Sequence, residues 1–247
     1  MKIIVIGGTG LIGSQVVAML ADHGHEAVAA SPSSGVDTLT GAGMAEAFAG
    51  ADVVVDVTNS PSFADDDVMH FFTTSTANML AAEKTAGVTH HVALSIVGAA
   101  RLPQSGYLRA KVAQEKLIEE SGLPYSIVEA TQFFEFVNRI ADSATVDGVV
   151  TLPHGLFQPI AAVDVATVVA RVAAHEPLNA RLEIGGPQEF SMDDLIREAL
   201  AAQGDSRVVE TGPDAQYFGT TLAGRELATT EGAELSTLSY AEWAARA

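Results

Sequence analysis

Short, continuous apolar runs alternate with segments of helical periodicity over the first 130 residues. Runs of this length and composition are typical of strands buried on both faces of a parallel sheet. They predict strands at residues 2–6, 26–30, 51–58, 90–98 and 125–130. Helical patterns that end at a glycine are predicted between them, at residues 11–24, 65–87 and 107–122. This alternation predicts an α/β fold, a Rossmann-type doubly wound parallel sheet with right-handed crossovers.

The pattern loosens after residue 130. Three helices and one strand are predicted there, at residues 131–142, 163–175, 191–204 and 181–186. The last helix opens with Ser191 and Asp194 at the spacing of a capping box. From about residue 205 the chain is polar and glycine-rich, which in such folds is typical of a tail over the carboxyl ends of the strands. We predict one domain, residues 1–247, in which about 131–247 contribute the substrate pocket and a small covering region.

The composition narrows the classes of function. Thirteen Lys and Arg against 31 Asp and Glu give a formal net charge of −18, and the basic residues do not cluster, which argues against a nucleic-acid partner. The absence of cysteine excludes disulfides, thiol catalysis and sulfur-ligated metal sites. No apolar run reaches the roughly 18 residues of a membrane span, and the N-terminus does not have the pattern of a signal peptide. We expect a cytoplasmic protein with no membrane partner.

The histidines do not suggest a metal site. His90 and His91 are neighbours on a predicted strand, so their side chains face opposite ways and cannot bind one ion. Both are interpreted as surface residues. His154 lies in a predicted loop without an identifiable partner. We therefore predict no bound metal.

The glycine-rich segment IGGTGLIG, residues 6–13, joins the first predicted strand to the first helix. Gly7 would allow the turn out of the strand, Gly10 the approach of a pyrophosphate, and Gly13 close packing of the helix on the sheet. Free amides at the helix N-terminus would hold the phosphates. Strand and helix flank the segment as a dinucleotide site requires, which favours that interpretation over an ordinary turn. The predicted contacts are Gly7, Thr9, Gly10, Leu11, Ile12 and Gly13.

The end of the second strand bears on the choice of dinucleotide. A carboxylate there would bind the ribose 2′-hydroxyl of NAD and repel the 2′-phosphate of NADP. The chain has no acidic residue at this point but three serines, Ser31, Ser33 and Ser34, whose hydroxyls are candidates for a phosphate. No arginine accompanies them, and a serine-rich turn is the alternative. We predict that NADP(H) is favoured over NAD(H).

Tyr107 and Lys111 lie four residues apart on a predicted helix and so share one face. An ammonium group beside a tyrosine stabilises the phenolate and lowers the tyrosine pKa from about 10. Such a tyrosine can donate a proton to a carbonyl oxygen, and the lysine can bond a nicotinamide ribose. Ser95, near the end of the preceding strand, places a hydroxyl at the same crevice. The pair alone is weak evidence, and Ser95 strengthens it.

With these residues the chain resembles the short-chain dehydrogenase/reductase superfamily. The resemblance implies a catalytic set in which Ser95 orients the substrate oxygen, Tyr107 transfers the proton and Lys111 tunes the tyrosine and holds the ribose. The segments GGTGLIG, ADVVVDVTN, SGLPYSIVEATQFFEF and QPIAAVDVA are similar to the atypical, NmrA-like branch. That branch includes reductases and also redox sensors without turnover. In one departure, Glu129–Ala130 stands where the branch often has Arg-Pro, near the expected nicotinamide or substrate wall.

Further candidates follow the predicted strands. Thr58 and Asn59 end a predicted strand at the point where the adenosine half of the cofactor would pass. A simple turn is nearly as good an interpretation. Asp37 either contacts adenine or caps a turn. Ala130 and Gln132 would lie at the nicotinamide end, with Gln132 near the carboxamide. Aromatic residues predicted to line the substrate pocket, or else to pack the core and the tail, are Phe133, Phe134 and Tyr217.

Together these features predict an NADPH-dependent reductase that transfers hydride to a small, largely apolar carbonyl or quinone-like substrate, with Tyr107 as proton donor. An NADP(H)-binding redox sensor without turnover is one alternative. An epimerase or dehydratase with tightly bound cofactor is another. The substrate, the direction of reaction and the oligomeric state stay open, a homodimer among them.

Overall fold

A parallel sheet of seven strands forms the centre of the computed structural model, which describes residues 1–222 and 224–246. The strands, in chain order, are β1 (Lys2–Ile6), β2 (Glu26–Ala30), β3 (Val53–Asp56), β4 (His90–Ile96), β5 (Tyr125–Ala130), β6 (Thr145–Val146), β7 (Val149–Leu152), β8 (Leu156–Phe157), β9 (Ala180–Gly185), β10 (Phe190–Ser191), β11 (Val208–Thr211) and β12 (Glu234–Leu235). The central sheet has the order β12-β9-β5-β4-β3-β1-β2. The predicted Rossmann-type α/β fold is confirmed.

Helices cover both faces of this sheet. They are α1 (Leu11–Asp22), α2 (Met44–Phe48), α3 (Asp65–Ala86), α4 (Gly106–Glu120), α5 (Val137–Ser143), α6 (Ala162–Ala173), α7 (Met192–Ala202) and α8 (Tyr240–Ala244). Alternate residues of β1 serve different cores: Ile3 packs with α1 and α6, whereas Ile4 packs with α2 and α3. Burial on both faces explains why these strands are continuous apolar runs rather than alternating ones.

Helix α3 shows how local chemistry sets the limits of an element. Asp65, Asp66 and Asp67 occupy its first turn, where the helix dipole favours negative charge. Gly87 ends it with φ +77, a left-handed conformation that glycine adopts without steric cost. Within the part of the chain that is described, no helix is both long and apolar enough to span a bilayer.

The C-terminal part forms a second, smaller layer that the sequence did not reveal. Strands β11, β7 and β6 make a three-stranded sheet, and β10 pairs with β8. The predicted helix 131–142 is instead a 3₁₀ turn, Phe134–Phe136, followed by the short helix α5. Near the end of the chain β12 adds to the edge of the central sheet beside β9. The backbone of Glu226 meanwhile lies against Gly98, leaving no room there for a Cβ.

His90 and His91 are buried, at 3% and 0% exposure, so their interpretation as surface residues is wrong. They open β4, which lies between β3 and β5 with both of its faces covered. His90 Nε2 lies 2.8 Å from Ser126 Oγ, and His91 Nδ1 lies 2.8 Å from Glu83 Oε1. Burial lowers the pKa of His90 to about 4 and leaves that imidazole neutral at physiological pH.

Candidate functional site

The glycine loop lies at the carboxyl edge of β1 with the geometry of an anion cradle. Gly7 has φ +80, and its amide donates to the carbonyl of Ala30 at the end of β2. Gly10 is the N-cap of α1, and Thr9, Gly10 and Leu11 are exposed. The first amides of α1 have no intrahelical acceptor, so they are available to a phosphate. The loop fits the pyrophosphate of a dinucleotide.

Gly13 shows why this loop excludes side chains. A Cβ there would lie 2.2 Å from the carbonyl oxygen of Gly7 and 2.7 Å from Gly8 Cα. Helix α1 therefore approaches the loop more closely than any other residue type would permit.

Replacing Gly13 with alanine is expected to push α1 away from the loop. We expect dinucleotide affinity to fall by about 10- to 100-fold, because overpacking of a close contact costs about 1–3 kcal/mol. The measurement is a fluorescence titration of NADPH. Ser14→Ala is the matched control, since Ser14 is exposed on the same helix. Unchanged affinity in Gly13→Ala would contradict the cradle.

The three predicted serines form a closed turn after β2. Ser31 Oγ lies 2.8 Å from Ser33 Oγ. The Ser34 hydroxyl accepts the amide of Ser31 and donates to the carbonyl of Ser31. Asp37 Oδ1 accepts the amides of Leu39 and Thr40, which makes it a turn cap. The Ser31 and Ser33 hydroxyls thus form a preorganised pair, whereas Ser34 supports the backbone.

Thr58 and Asn59 follow β3 directly beside the glycine loop, since a Cβ on Gly7 would lie 3.0 Å from the carbonyl oxygen of Val57. The Thr58 hydroxyl turns back to Asp56 Oδ1 at 2.7 Å. Asn59 Oδ1 accepts the hydroxyl of Tyr107 at 3.0 Å. The loop after β3 therefore connects the predicted cofactor site to the predicted proton donor, a contact between residues 48 apart that spacing could not suggest.

Tyr107 lies in the first turn of α4 among aromatic rings. Its ring stacks on Phe218 with centroids 5.6 Å apart, and Phe63 and Phe72 lie at 5.4 and 5.9 Å. Burial raises the pKa of Tyr107 to about 12, against the smaller opposing effect of the Asn59 hydrogen bond. The expected lowering of this pKa by Lys111 is not seen.

Lys111 is buried one turn further along α4, at 3% exposure. Its ammonium donates to the carbonyl of Leu94 at 2.9 Å and to Gln114 Oε1, and it lies 4.5 Å from the centre of the Phe72 ring. Gln114 in turn donates to Asp56 Oδ2 at 2.8 Å. Burial lowers the pKa of Lys111 to about 8, with Asp56 and Glu115 opposing. The ammonium is thus held by Leu94 and Gln114 rather than by Tyr107.

Ser95 is buried and donates its hydroxyl to Glu115 Oε1. Glu115 also pairs with Arg181 at 2.6 Å, and Arg181 bonds Glu119 and Glu129. Glu129 is therefore paired on the α4 side of the sheet with a guanidinium that it shares with Glu115 and Glu119. No hydrogen bond joins Ser95, Tyr107 and Lys111 to one another among the described residues. Their catalytic roles stay a prediction.

The segment after β5 carries two buried polar atoms without a partner. Gln132 Oε1 and Thr131 Oγ1 accept or donate no hydrogen bond within the described structure, at 8% and 1% exposure of their residues. A buried polar group without a partner costs about 1–3 kcal/mol, and a bound ligand that completes the hydrogen bond is one way to recover that cost. Ala130, which precedes them, is buried and accepts the amide of Val97. Gln132 fits the carboxamide of a nicotinamide.

Gln132→Leu is expected to act in opposite directions on stability and on binding. Without ligand, removal of the unpaired amide oxygen should raise the free energy of unfolding by about 1 kcal/mol. Dinucleotide affinity should fall by about tenfold, the loss of one hydrogen bond. Urea unfolding with and without NADPH measures both. A variant that is destabilised without ligand would show that Gln132 serves the fold alone.

The aromatic residues predicted for the pocket separate into different places. Phe134 is fully buried against Tyr240 and Trp243 of α8, so it packs the core. Phe133 stacks on Phe136. Tyr217 packs edge-on against Phe218, 4.7 Å between centroids, and so joins the rings around Tyr107. Phe218 is, with Tyr217, a tail residue that the sequence suggests for the pocket, whereas Phe63 was not predicted because it stands alone in a loop without any periodic signal.

His154 has partners that the sequence did not indicate. His154 Nδ1 lies 2.8 Å from Asp193 Oδ1, and its Nε2 lies 3.3 Å from Ser191 Oγ. The predicted capping box at Ser191 and Asp194 is wrong, because the Ser191 side chain makes no capping hydrogen bond to α7. It faces His154 instead.

Comparison with known proteins agrees with this geometry. A family model described as NAD(P)H-binding matches residues 7–176. The chain is 29% identical, over 70% of its length and 62% of the relative's, to a (4-alkanoyl-5-oxo-2,5-dihydrofuran-3-yl)methyl phosphate reductase of Streptomyces griseus. It is 28% identical to an NAD(P)H azoreductase of Xenophilus azovorans, covering 82% of this chain and 74% of that one.

Solved structures share the fold. An NADPH-dependent quinone oxidoreductase of Escherichia coli, complexed with NADPH, superposes with a TM-score of 0.69 at 20% identity, covering 87% of this chain and 79% of that one. The chain spans less than two thirds of the Streptomyces reductase. The glycine loop, the parallel sheet and the family match support one assignment. The chain belongs to the NAD(P)H-binding family, and its fold is of the Rossmann type.

Proposed function

We propose that this protein is an NADPH-dependent reductase of a small, largely apolar carbonyl or quinone-like substrate, with Tyr107 as the proton donor. The observation that carries the proposal is the Tyr107 hydroxyl, held by Asn59 beside the glycine loop and enclosed by Phe63, Phe72 and Phe218. Aromatic walls favour a flat apolar substrate. A hydroxyl among them is placed to protonate its oxygen.

The cofactor would be held by the amides at the start of α1, by the Ser31 and Ser33 hydroxyl pair, and by Gln132. When bound, a reduced nicotinamide supplies a hydride. The preference for NADPH is supported by the lack of a carboxylate at the end of β2, where one would repel the 2′-phosphate.

The raised pKa of Tyr107 suits reduction. At a pKa of about 12, only about 10⁻⁵ of the tyrosine is ionised at pH 7, so the proton is present when it is needed. The alkoxide formed from a ketone or an aldehyde is a stronger base than this phenolate, so proton transfer to it is downhill, whereas the anion of a reduced quinone is a weaker base and can leave without a proton from Tyr107. The reverse reaction would need the phenolate, which is scarce. Lys111, fixed by Leu94 and Gln114, contributes positive charge one helical turn away.

The relatives' activities support the reductase class. Both the Streptomyces and the Xenophilus proteins are reductases by name, and the Escherichia coli structure is of a quinone oxidoreductase. Quinones and azo compounds are flat and apolar, as the aromatic enclosure of Tyr107 requires. Of the relatives' substrates, these two classes suit the site better than a phosphate ester, since Lys111, the basic side chain beside the Phe72 ring, is already bonded to Leu94 and Gln114.

The test is oxidation of NADPH against a panel of quinones, aromatic ketones, enones and azo compounds, followed by the absorbance of the reduced nicotinamide. We expect turnover of at least one class, with a higher kcat/KM for NADPH than for NADH. Tight NADPH binding without any turnover would overturn the reductase. A preference for NADH would overturn only the cofactor choice.

A redox sensor without turnover is the second candidate, and one observation favours it. Ser95 and Lys111 are already bonded to Glu115, Leu94 and Gln114, so neither is free for a substrate in this structure. A sensor would show different affinities for NADP⁺ and NADPH and no panel activity. A non-exchanging cofactor after purification would instead indicate an epimerase or dehydratase.

A further inference from the structure

We propose that Ser191, His154 and Asp193 form a second catalytic site, a serine–histidine–aspartate triad that hydrolyses small neutral or cationic carboxylic esters. The three residues lie at the start of α7 and in the loop between β7 and β8. These elements differ from those that carry the glycine loop and Tyr107. The proposal is independent of the reductase activity.

The three side chains are connected in the order that nucleophilic catalysis requires. Ser191 Oγ lies 3.3 Å from His154 Nε2, and the other ring nitrogen, Nδ1, lies 2.8 Å from Asp193 Oδ1. The serine and the aspartate thus contact opposite nitrogens of one imidazole. A hydroxyl activated by a histidine that a carboxylate orients is the general signature of an activated serine nucleophile.

The carboxylate is fixed and the nucleophile is accessible. Asp193 is 1% exposed and accepts a hydrogen bond from the Thr211 hydroxyl. Burial alone would raise the pKa of Asp193, but the hydrogen bonds from Thr211 and His154 hold it below its usual value. Asp193 therefore stays ionised, as the orienting group of a triad must. His154 is exposed and Ser191 is half-buried, so an ester can reach them.

The backbone around Ser191 favours the same chemistry. Ser191 stands between β10 and α7 as the N-cap residue, yet its hydroxyl makes no capping bond. The Ser191 hydroxyl contacts His154 Nε2 instead of the backbone amides of α7. The amide of Met192 donates to the carbonyl of Gly155, and that of Asp194 to the Asp193 carboxylate. It is therefore the positive end of the α7 dipole that favours negative charge on an acyl oxygen beside Ser191.

The reaction balances without any further reagent than water. Ser191 Oγ attacks the ester carbonyl carbon while its proton passes to His154 Nε2. The carbon–oxygen bond to the alcohol breaks, and the alkoxide takes the proton from His154. Water then attacks the acyl carbon and gives a proton to the same nitrogen. The bond from that carbon to Ser191 Oγ breaks, Oγ takes the proton back from His154, and the acid is released.

Charge near the triad selects the ester. Asp194 lies close enough that one of its oxygens is within 4.8 Å of ligand atoms of His154 and Asp193. Arg197 pairs with both Asp193 and Asp194, so the two carboxylates and the one guanidinium leave a single net negative charge beside the reacting carbon. That charge disfavours an anionic ester, so neutral or cationic esters are the substrate class.

The test combines labelling and hydrolysis on the full chain. The protein is treated with a fluorophosphonate probe, the adduct is mapped by mass spectrometry, and 4-nitrophenyl acetate hydrolysis is measured in the presence of EDTA. We expect an adduct on Ser191 and a loss of labelling and hydrolysis of at least tenfold in Ser191→Ala and His154→Ala. Ser206→Ala, an exposed serine elsewhere, is the control and should label and hydrolyse like the parent protein.

Circular dichroism and NADPH binding show whether each variant is folded. If Ser191→Ala is not, the adduct site in the parent protein decides alone. No adduct on Ser191, or undiminished hydrolysis in Ser191→Ala, overturns the proposal. Hydrolysis that EDTA abolishes also overturns it, because the activity would then belong to a metal ion held by His154 and the two aspartates.

Discussion

Tyr107→Phe is expected to lower the rate of NADPH-dependent reduction by about 10²–10⁴-fold, the usual contribution of a positioned acid. The substitution removes the only proton that the side chain can donate. The phenyl ring keeps its stacking on Phe218 and its contacts with Phe63 and Phe72. Because the cofactor cradle lies in the glycine loop, NADPH affinity should change little. The measurement is single-turnover reduction together with an NADPH titration.

Tyr125→Phe is the matched control, since Tyr125 begins β5 at the amino ends of the strands, whereas the candidate site lies at their carboxyl ends. It should keep the parent rate. Turnover that survives undiminished in Tyr107→Phe would mean that the proton comes from elsewhere. Lost NADPH binding would mean that Tyr107 serves the cofactor rather than the substrate. The two results separate a proton donor from a binding residue.

The fold was predictable because the strands of the sheet are buried on both faces. Strands β1, β2 and β5 lie within the predicted limits to the residue, and α3 differs by one residue at its end. Continuous apolar runs and glycine stops are local signals, so a single chain reveals them. The short strands β6 to β8 and β10 to β12 carry too few residues to show any periodicity. Their pairing depends on partners far along the chain.

For the candidate site, the sequence predicts which side chains share a helix face, but not the hydrogen bonds that they make. Helical spacing places Tyr107, Lys111 and Glu115 on one face, and the structure has that face toward the sheet. The partners of these residues, Asn59 and Leu94 among them, lie on other elements. The spacing of residues along one helix does not predict which side chains of other elements contact that helix. The Tyr107 pKa shifts upward rather than downward because aromatic rings from other elements bury its hydroxyl.

The same limit explains His91. Two histidines at the start of a strand suggest an exposed position. His91 is nevertheless part of the core, because it hydrogen-bonds the buried carboxylate of Glu83 on α3. Glu83 and His91 are each 0% exposed, with 2.8 Å between Oε1 and Nδ1. The pair is an isolated charge cluster under the sheet, and its removal tests how far the fold depends on it.

Glu83→Ala is expected to reduce the free energy of unfolding by about 3–5 kcal/mol, because it leaves a buried imidazole without its partner. His91 Nε2 already has no hydrogen-bond partner in the described structure, so the ring would lose its last polar contact. Urea unfolding at pH 6.5 measures the change. Glu120→Ala is the control, since Glu120 pairs with Lys116 on the exposed side of α4. That variant should differ from the parent protein by less than about 1 kcal/mol.

The pair also makes stability depend on pH above neutrality. Burial acts to lower the pKa of His91, but Glu83 outweighs it and the pKa is raised above 6.5; burial likewise raises the pKa of Glu83. The folded state therefore keeps a proton that the unfolded chain releases. This stabilisation is complete below pH 6.5 and is lost as pH rises through the folded pKa, with a slope of at most about 1.4 kcal/mol per pH unit. Between pH 6.5 and 8 this pair should lower the stability of the parent protein, while Lys111, with a pKa of about 8, titrates in the same way in the parent protein and in a Glu83 variant. Glu83→Gln keeps the shape of the pair without its charge, so its urea midpoint should be much flatter over the same range. Equal slopes in the two proteins would mean that the proton is not shared between Glu83 and His91.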